Sequence, residues 1–358
     1  MKTNLKINTL LVGLGRIASS LELDPLRLKP CTHAGVLFSA WGCKHFSLHG
    51  IYDIDPEKIT QFQKQWKLGS ADLALTSEDF LGLTRNRGKD QFKKYDFAIV
   101  ATTSITHFEI ACHLIRSGLK FILIEKPVSL NSHDAKKLAN LALKNNVKIW
   151  INHERRYHPR YQYVKELIST GAFGKIESVR ANVFTSAKNP GLAFSKYGGG
   201  PLLHDGTHAI DLLFWILGPL TLRAAHVVRQ TQKAIEDRAT AWLVNKEQTE
   251  VFLDVAGGRD YFQFEIDIFT TKARFTLSND GFQFFASSPS PLYKGFRSLK
   301  VMEEKKLPGR EKSNPFLGIY QEILKNVKGK SDYQEGTLKD NIDILECIES
   351  IYQFRRKK

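Results

Sequence analysis

Up to about residue 150 the chain alternates short apolar runs with segments of helical spacing. Runs at 8–14, 46–52, 97–101, 120–124 and 147–151 predict five strands, and segments 56–66, 104–117 and 132–145 between them predict helices. Apolar residues that follow one another without alternation suit strands buried on both faces. These units therefore predict a parallel sheet with helices on either side. Local chemistry supports the helix ends: Asn131 or Ser132 can cap the segment at 132–145, and Gly118 follows 104–117 where the chain must leave the helix.

Beyond about residue 155 the period changes. A helix at 160–169 leads through Gly171 and Gly174 to strand-like segments at 176–184, 239–245, 250–255, 261–269 and 282–285. In 261–269, Phe262, Phe264, Ile266 and Ile268 fall on one face, which marks a half-buried antiparallel strand. Closing helices are expected at 314–327 and 341–355. The expected organisation is an α/β domain over 1–152 followed by an α+β domain over 153–358 with an open, mostly antiparallel sheet. Helices would cover one face of that sheet and a second copy of the chain the other, which predicts a homodimer or homotetramer.

The 358 residues, 42% of them apolar, suffice for two cored domains and exclude disordered, collagenous and disulfide-scaffold classes. A net charge of +15 raises nucleic-acid, membrane-surface and anionic-substrate readings. Its distribution argues against nucleic acid: residues up to 152 hold 21 basic and 13 acidic side chains and the rest 31 and 24, so the excess is spread evenly. Concentrations at 294–312 and in Arg355-Arg356-Lys357-Lys358 read as solvated surface, without aromatics at base-stacking spacing. Cys31, Cys43, Cys112 and Cys347 form no C-x-x-C pair and have no metal-ligand spacing, so reduced, mostly buried thiols and a cytoplasmic location are expected. No export signal or membrane span is visible: the start runs into an apolar strand, and the longest apolar stretch, 210–222, contains Asp211, Gly218 and Pro219.

Gly13-Leu14-Gly15-Arg16-Ile17-Ala18 follows the first strand and enters a helical segment, the setting of a G-x-G-x-x-G/A dinucleotide fingerprint. The first glycine permits the tight turn, and the second lets the backbone approach a pyrophosphate. Ala18 allows close helix–strand packing, with the helix N-terminus facing the anion. The acid that such a site needs after its second strand is Asp53, whose carboxylate would accept bonds from ribose hydroxyls and repel a 2′-phosphate; NAD is thereby favoured over NADP. Asp53 lies 35 positions past Ala18, so residues 23–44 hold an insertion of about fifteen residues over the usual spacing. This insertion, with Pro25, Pro30, His33 and Trp41, starts beside the pyrophosphate turn and is expected to cover part of the cofactor or substrate cleft. Asp55 is the better candidate to cap the helix beginning at Pro56.

At Glu125-Lys126-Pro127, directly after the fourth strand, the sequence begins to resemble the Gfo/Idh/MocA oxidoreductases, the glucose-fructose oxidoreductase and inositol dehydrogenase family. The resemblance extends to Ala101-Thr102-Thr103-Ser104-Ile105-Thr106-His107, to Asn152-His153-Glu154-Arg155-Arg156-Tyr157-His158-Pro159, to 171–176, and to the run from Gly198 through His204, Asp205 and His208 to Asp211. It implies a Rossmann domain, a second domain whose open sheet makes dimer or tetramer contacts, and reversible hydride transfer between a sugar-like alcohol and NAD(P). Carried over residue by residue, it implies that Lys126 contacts the reacting oxygen and positions the nicotinamide. Thr102 and His107 would line the cofactor site together with Gly13, Gly15, Arg16, Ile17 and Asp53, and Glu125 would sit against the nicotinamide end. Arg156 and Tyr157 would face substrate.

The residue chemistry agrees. Oxidising a secondary alcohol removes a hydroxyl proton as the hydride leaves, which needs a base near neutrality and a cation for the developing alkoxide. His208 suits the first need and Lys126 the second. The family stretch usually reads Asp-x-x-x-His, but here His204 holds the Asp position and Asp205 follows. In a helix, His204 and His208 share a face and Asp205 points about 100° away from His204. His204 would then be a substrate hydrogen-bond partner or part of a proton relay. Two histidines so spaced also suit Zn²⁺, but no third ligand is evident and no metal is expected. The expected function is an NAD(P)-dependent oxidoreductase acting on a hydroxyl of a sugar, cyclitol or sugar derivative. The alternatives are an NAD-dependent glycosidase working by transient oxidation and a cofactor-binding regulatory protein without turnover.

Overall fold

A computed structural model describes residues 6–69, 73–82, 92–186, 199–229, 235–302 and 314–354. Gly198, the 303–312 part of the basic segment and the basic tail from Arg355 lie outside the described residues. The chain divides into two compact units, one of residues 1–154 with 314–342 and one of 155–313 with 343–358.

The first unit is built on the five expected strands, β1 (Ile7–Val12), β2 (Phe46–Tyr52), β3 (Phe97–Val100), β4 (Phe121–Ile124) and β5 (Lys148–Ile151). They are parallel, in the order β2-β1-β3-β4-β5. Their apolar residues are buried, from Leu10 and Leu11 to Ile99, Leu123 and Trp150, while β2 also carries the exposed His49. The helices are α1 (His33–Phe38), α2 (Gly42–His45), α3 (Pro56–Gln65), α4 (Ser77–Leu81), α5 (Ser104–Arg116) and α6 (Ser132–Lys144). Their starts follow capping chemistry: Asp55 accepts the Glu57 N–H ahead of Pro56, and Asn131 accepts the Asp134 N–H.

The second unit carries α7 (Pro159–Ser169), β6 (Ile176–Phe184), α8 (Thr207–Leu217), β7 (Leu220–Val228), β8 (Arg238–Asn245), β9 (Glu250–Ala256), β10 (Gln263–Thr270), β11 (Ala273–Ser278), β12 (Phe282–Pro289) and β13 (Arg297–Val301). These strands form one sheet in the order β13-β12-β11-β10-β6-β9-β8-β7, antiparallel throughout except at β6–β9. One face buries Val179, Ala181 and Val183 of β6, Val251, Leu253 and Val255 of β9, and Phe264, Ile266 and Ile268 of β10. The other face exposes Arg180, Arg238, Trp242 and Phe252. Phe262, expected among the buried residues of 261–269, precedes the strand and is exposed.

Three strands escape a reading by hydrophobic pattern. β7 is an edge strand half exposed on both faces, and β11 interleaves Arg274 and Thr276 with buried Ala273, Phe275 and Leu277. β13 lies within the segment read as solvated surface and forms the other edge with Arg297 and Lys300, the charged edge that discourages pairing with a further strand.

Residues 314–342 fall outside the second domain in which a division at 152/153 places them. In α9 (Pro315–Val327), Tyr320 is fully buried, with its ring edge-on to Phe46 and Phe97 of the first unit. An amphipathic helix does not declare which sheet it covers, so sequence order conceals this return. The last helix is α10 (Leu338–Gln353). All four cysteines are free; Cys112 and Cys347 are buried as expected, whereas Cys31 is half-buried and Cys43 exposed. Among the described residues no helix is long and apolar enough to cross a membrane.

Candidate active site

The turn after β1 is held by backbone geometry. Gly13 has φ +88°, and a Cβ there would lie 2.6 Å from backbone atoms of Ala101 and Thr102, so only glycine lets the chain pass this close to the end of β3. The Leu14 N–H donates to Asp53 Oδ2 at 2.8 Å, and Asp53 Oδ1 accepts the Asp55 N–H at 3.0 Å. Asp53 thus joins the turn to the end of β2. Among the described residues, and apart from Gly15 and its two chain neighbours, no heavy atom lies within 4 Å of the position a Cβ would take on Gly15. This opening stands at the carboxyl end of β1, where the strand order reverses between β2 and β3, and such a crevice takes a dinucleotide's pyrophosphate. Arg16 is exposed, Ile17 half-buried and Ala18 buried, so the turn fits the cofactor that its sequence implies.

The expected helix after this turn is interrupted. Ser19 N–H bonds to the Gly15 carbonyl at 3.0 Å, then a 3-10 turn at Ser20–Leu23 leads the chain outward. His33 and Ala34 donate to the carbonyls of Ile17 and Ala18 at 3.2 and 2.9 Å, the bonds that residues 21 and 22 would make in an unbroken helix. The insertion is therefore an excursion within the first helix, which resumes as α1. Glu22 closes its mouth by accepting from the Cys31 N–H (3.0 Å) and Thr32 Oγ1 (2.8 Å), while Thr32 caps α1 through the Gly35 N–H. Leu23, Leu26 and Leu28 of the excursion are exposed, whereas residues 33–37 are buried. Segment 23–44 is thus an exposed loop joined to a buried helix.

Thr102 and Lys126 stand half-buried at the ends of β3 and β4. His107 does not line the site with its ring. It is 1% exposed, with Nδ1 2.7 Å from the Pro127 carbonyl and Nε2 3.1 Å from the Thr102 carbonyl. Burial holds its pKa below the ordinary histidine value, although the two carbonyls pull upward. The ring lies between the loops that carry Thr102 and the cis Lys126–Pro127 bond, and a neutral imidazole has one N–H to donate to one of the two carbonyls. Glu125 is buried at the end of β4, its Oε1 accepting from Asn152 Nδ2 at 2.5 Å and lying 2.9 Å from His33 Nε2. Burial works to raise its pKa, but His33, Asn152 and Lys126 more than offset this and hold it below the ordinary glutamate value. Asn152 and His33 were not among the expected site residues; Asn152 opens one of the family-like motifs and His33 lies in the insertion, and neither position assigned them a partner.

In the second unit, Arg156 departs most from expectation. Instead of facing a substrate, its guanidinium is 3% exposed and clasps Asp211 of α8, with Nε 3.0 Å from both carboxylate oxygens and Nη2 2.7 Å from Oδ1. Tyr157, next to it in the 3-10 turn Glu154–Tyr157, is half-buried. His204 and Asp205 lie in a π-helical turn, Leu202–Gly206, that precedes α8. Its wider i→i+5 winding replaces the α-helical register expected between His204 and His208. Asp205, expected to point away from His204, meets it, with Oδ1 3.1 Å from His204 Nδ1. The turn is anchored from below by Glu236, which is 3% exposed and accepts the Leu202 N–H at 2.7 Å; burial raises its pKa. Gly200, at φ +78°, leaves room for that carboxylate, since a Cβ would lie 2.5 Å from Glu236 Oε2. His208 is half-buried in the first turn of α8. Among the described residues no group of three or more His, Cys, Asp or Glu side chains is placed to hold a metal ion.

Comparison with known proteins agrees with this architecture. The rhizopine catabolism protein MocA of Rhizobium meliloti is 30% identical over 132 residues, which are 36% of this chain and 41% of that protein. The UDP-N-acetylglucosamine 3-dehydrogenase of Acidithiobacillus ferrooxidans is 29% identical over 150 residues, 41% of this chain and 44% of that one. The alignments thus span less than half of either relative. The crystal structure of the WlbA dehydrogenase from Bordetella pertussis, in complex with NADH and UDP-GlcNAcA, superposes with a TM-score of 0.74 at 20% identity and covers 99% of this chain and 97% of that one, a likeness of fold. Residues 7–153 match the model of an oxidoreductase family with an NAD-binding Rossmann fold, and 161–276 match the GFO/IDH/MocA C-terminal domain. With both halves matched in order, the chain belongs to the GFO/IDH/MocA family of NAD(P)-binding oxidoreductases.

Proposed function

We propose that the protein is an NAD-dependent dehydrogenase that moves a hydride between the cofactor and a hydroxyl of a sugar, cyclitol or sugar derivative. The observation that carries this reading is the open turn at Gly15 with the Asp53 carboxylate tied beside it through the Leu14 N–H. When bound, the nicotinamide supplies the hydride acceptor. The chain's own residues do the rest: His208 takes the hydroxyl proton, and the Lys126 ammonium stabilises the alkoxide that develops as the hydride leaves. His204, oriented at Nδ1 by Asp205, holds a neighbouring substrate hydroxyl, and Tyr157 contributes to the same surface. Related dehydrogenases act on UDP-N-acetylglucosamine and inositol, which supports a sugar-like substrate. The evenly spread +15 charge favours anionic cofactors and phosphorylated or acidic sugars. Four free thiols suit the reducing cytoplasm.

Thermal unfolding with NAD and NADP, each paired with sugars, sugar phosphates and nucleotide sugars, tests this reading. NAD is expected to raise the melting temperature more than NADP, and a matching substrate to generate NADH. Asp53→Ser should narrow the NAD-over-NADP preference by about tenfold, because it removes both the ribose acceptor and the charge that repels a 2′-phosphate. A protein stabilised by neither dinucleotide overturns the reading. Retained cofactor without net NADH would favour the glycosidase alternative, and binding without turnover across the panel the regulatory one.

The same proposal seats a second copy of the chain on the exposed face of the eight-stranded sheet; what supports it is that Trp242 and Phe252 stack there with centroids 6.5 Å apart and are 39% and 41% exposed. Sedimentation should show a dimer or tetramer that Trp242→Glu weakens; a monomeric parent protein removes this assignment.

A further inference from the structure

His33 is a fully buried histidine at the point where the interrupted helix resumes. Both its ring nitrogens are engaged: Nε2 lies 2.9 Å from Glu125 Oε1, and Nδ1 lies 2.7 Å from the hydroxyl of Tyr320. Burial, together with the Glu125 charge, pushes the Tyr320 phenol well above its ordinary pKa, so it keeps its proton and can donate to Nδ1. With Nδ1 accepting, the ring N–H lies on Nε2 and donates to the carboxylate. The Phe316 ring packs edge-on to His33 at 5.5 Å and fixes its plane. Asn152 Nδ2 donates to the same Oε1, whereas Oε2 has no hydrogen-bond partner among the described residues.

A buried carboxylate at a strand end is costly to keep unless donors offset its lost hydration. Here an aromatic-lined network drawn from α1, α9 and the end of β5 keeps one in place beside Lys126. The sheet order locates it. The fingerprint and Asp53 stand at the ends of β1 and β2, the adenosine half of a doubly wound crevice, and β3 and β4 across the switch point form the other half. Glu125 follows β4 directly.

We propose that His33 is a positioning residue that holds Glu125 as a fixed anion in the nicotinamide half of the crevice and thereby biases the site toward the oxidised, cationic ring over the neutral reduced one. This rests on the cofactor reading above. It also gives the inserted segment a function: the excursion leaves the helix early, yet returns the chain so that His33 still meets Glu125.

The test is the ratio of the dissociation constants for NAD⁺ and NADH, measured by calorimetry without substrate. Glu125→Gln removes the charge and should raise the ratio at least about fivefold. His33→Gln places an amide near the Nε2 position and should keep the ratio within about twofold of the parent, whereas the shorter His33→Asn should match Glu125→Gln. The double variant His33→Asn/Glu125→Gln should be no worse than Glu125→Gln alone, since both act through one charge. An unmoved ratio in Glu125→Gln or His33→Asn overturns the inference, as does equal weakening of both dinucleotides or failure of both His33 amide variants to fold, each of which indicates a purely structural histidine. A parent protein that binds neither dinucleotide refutes the cofactor reading itself.

Discussion

Arg156→Ala is expected to destabilise the second unit by about 3–5 kcal/mol, enough to threaten folding outright. The guanidinium and the Asp211 carboxylate are 3% and 1% exposed, so removing the cation strands a charge that water cannot reach. The pair is bidentate, the geometry in which arginine and carboxylate bind most strongly. Urea unfolding at neutral pH measures the loss as a lower midpoint with an unchanged slope. Arg156→Met combined with Asp211→Leu should recover most of the stability, because two apolar residues of similar size leave no uncompensated charge. Asp211 lies one turn beyond His208 on α8, so the double variant should fold yet turn over more slowly. A single variant that unfolds like the parent protein would show that Arg156 is not what holds this helix.

Lys126→Ala and His208→Ala are each expected to lower the rate of hydride transfer by about 10²- to 10⁴-fold on any substrate the screen identifies. The two losses should differ in character. Lysine stabilises an alkoxide that exists only in the transition state, so its loss should fall on kcat. Histidine removes a proton, so His208→Ala should also flatten the acidic limb of the pH–rate profile. Retention of full transfer by both variants would refute the assigned roles. The departure at His204 adds a finer expectation. With Asp205 orienting His204, Asp205→Asn should raise KM more than it lowers kcat, because a half-exposed pair of neighbours contributes little stability and acts by aim.

Much of the fold was legible because the signals are local. Five short, mostly apolar runs identified the parallel strands to within a residue or two, since a strand covered on both faces leaves little room for polar side chains. Capping at Asp55 and Asn131 could be read from single side chains because a cap contacts only the next turn. The edge strands β7 and β13 were not legible for the converse reason: a strand exposed on both faces carries no burial pattern. The fingerprint located its turn correctly, but the helix expected after it breaks, because the chain can leave a helix and re-enter it wherever carbonyls such as those of Ile17 and Ala18 still find donors.

By itself, the sequence determined the α/β then α+β order, the dinucleotide turn with Asp53, and the motifs that identify the family. Each rests on spacing within a few residues or on one strand's periodicity. Only the tertiary structure decided which charges meet. Arg156 finds Asp211 55 positions away and His33 finds Glu125 across 92, while His204 turns to its neighbour Asp205 through a π-helical turn that no residue type announces. An ionisable side chain's role depends on what is buried against it. Burial joins residues remote in sequence, so the sequence could name the chemistry but not assign each group its partner.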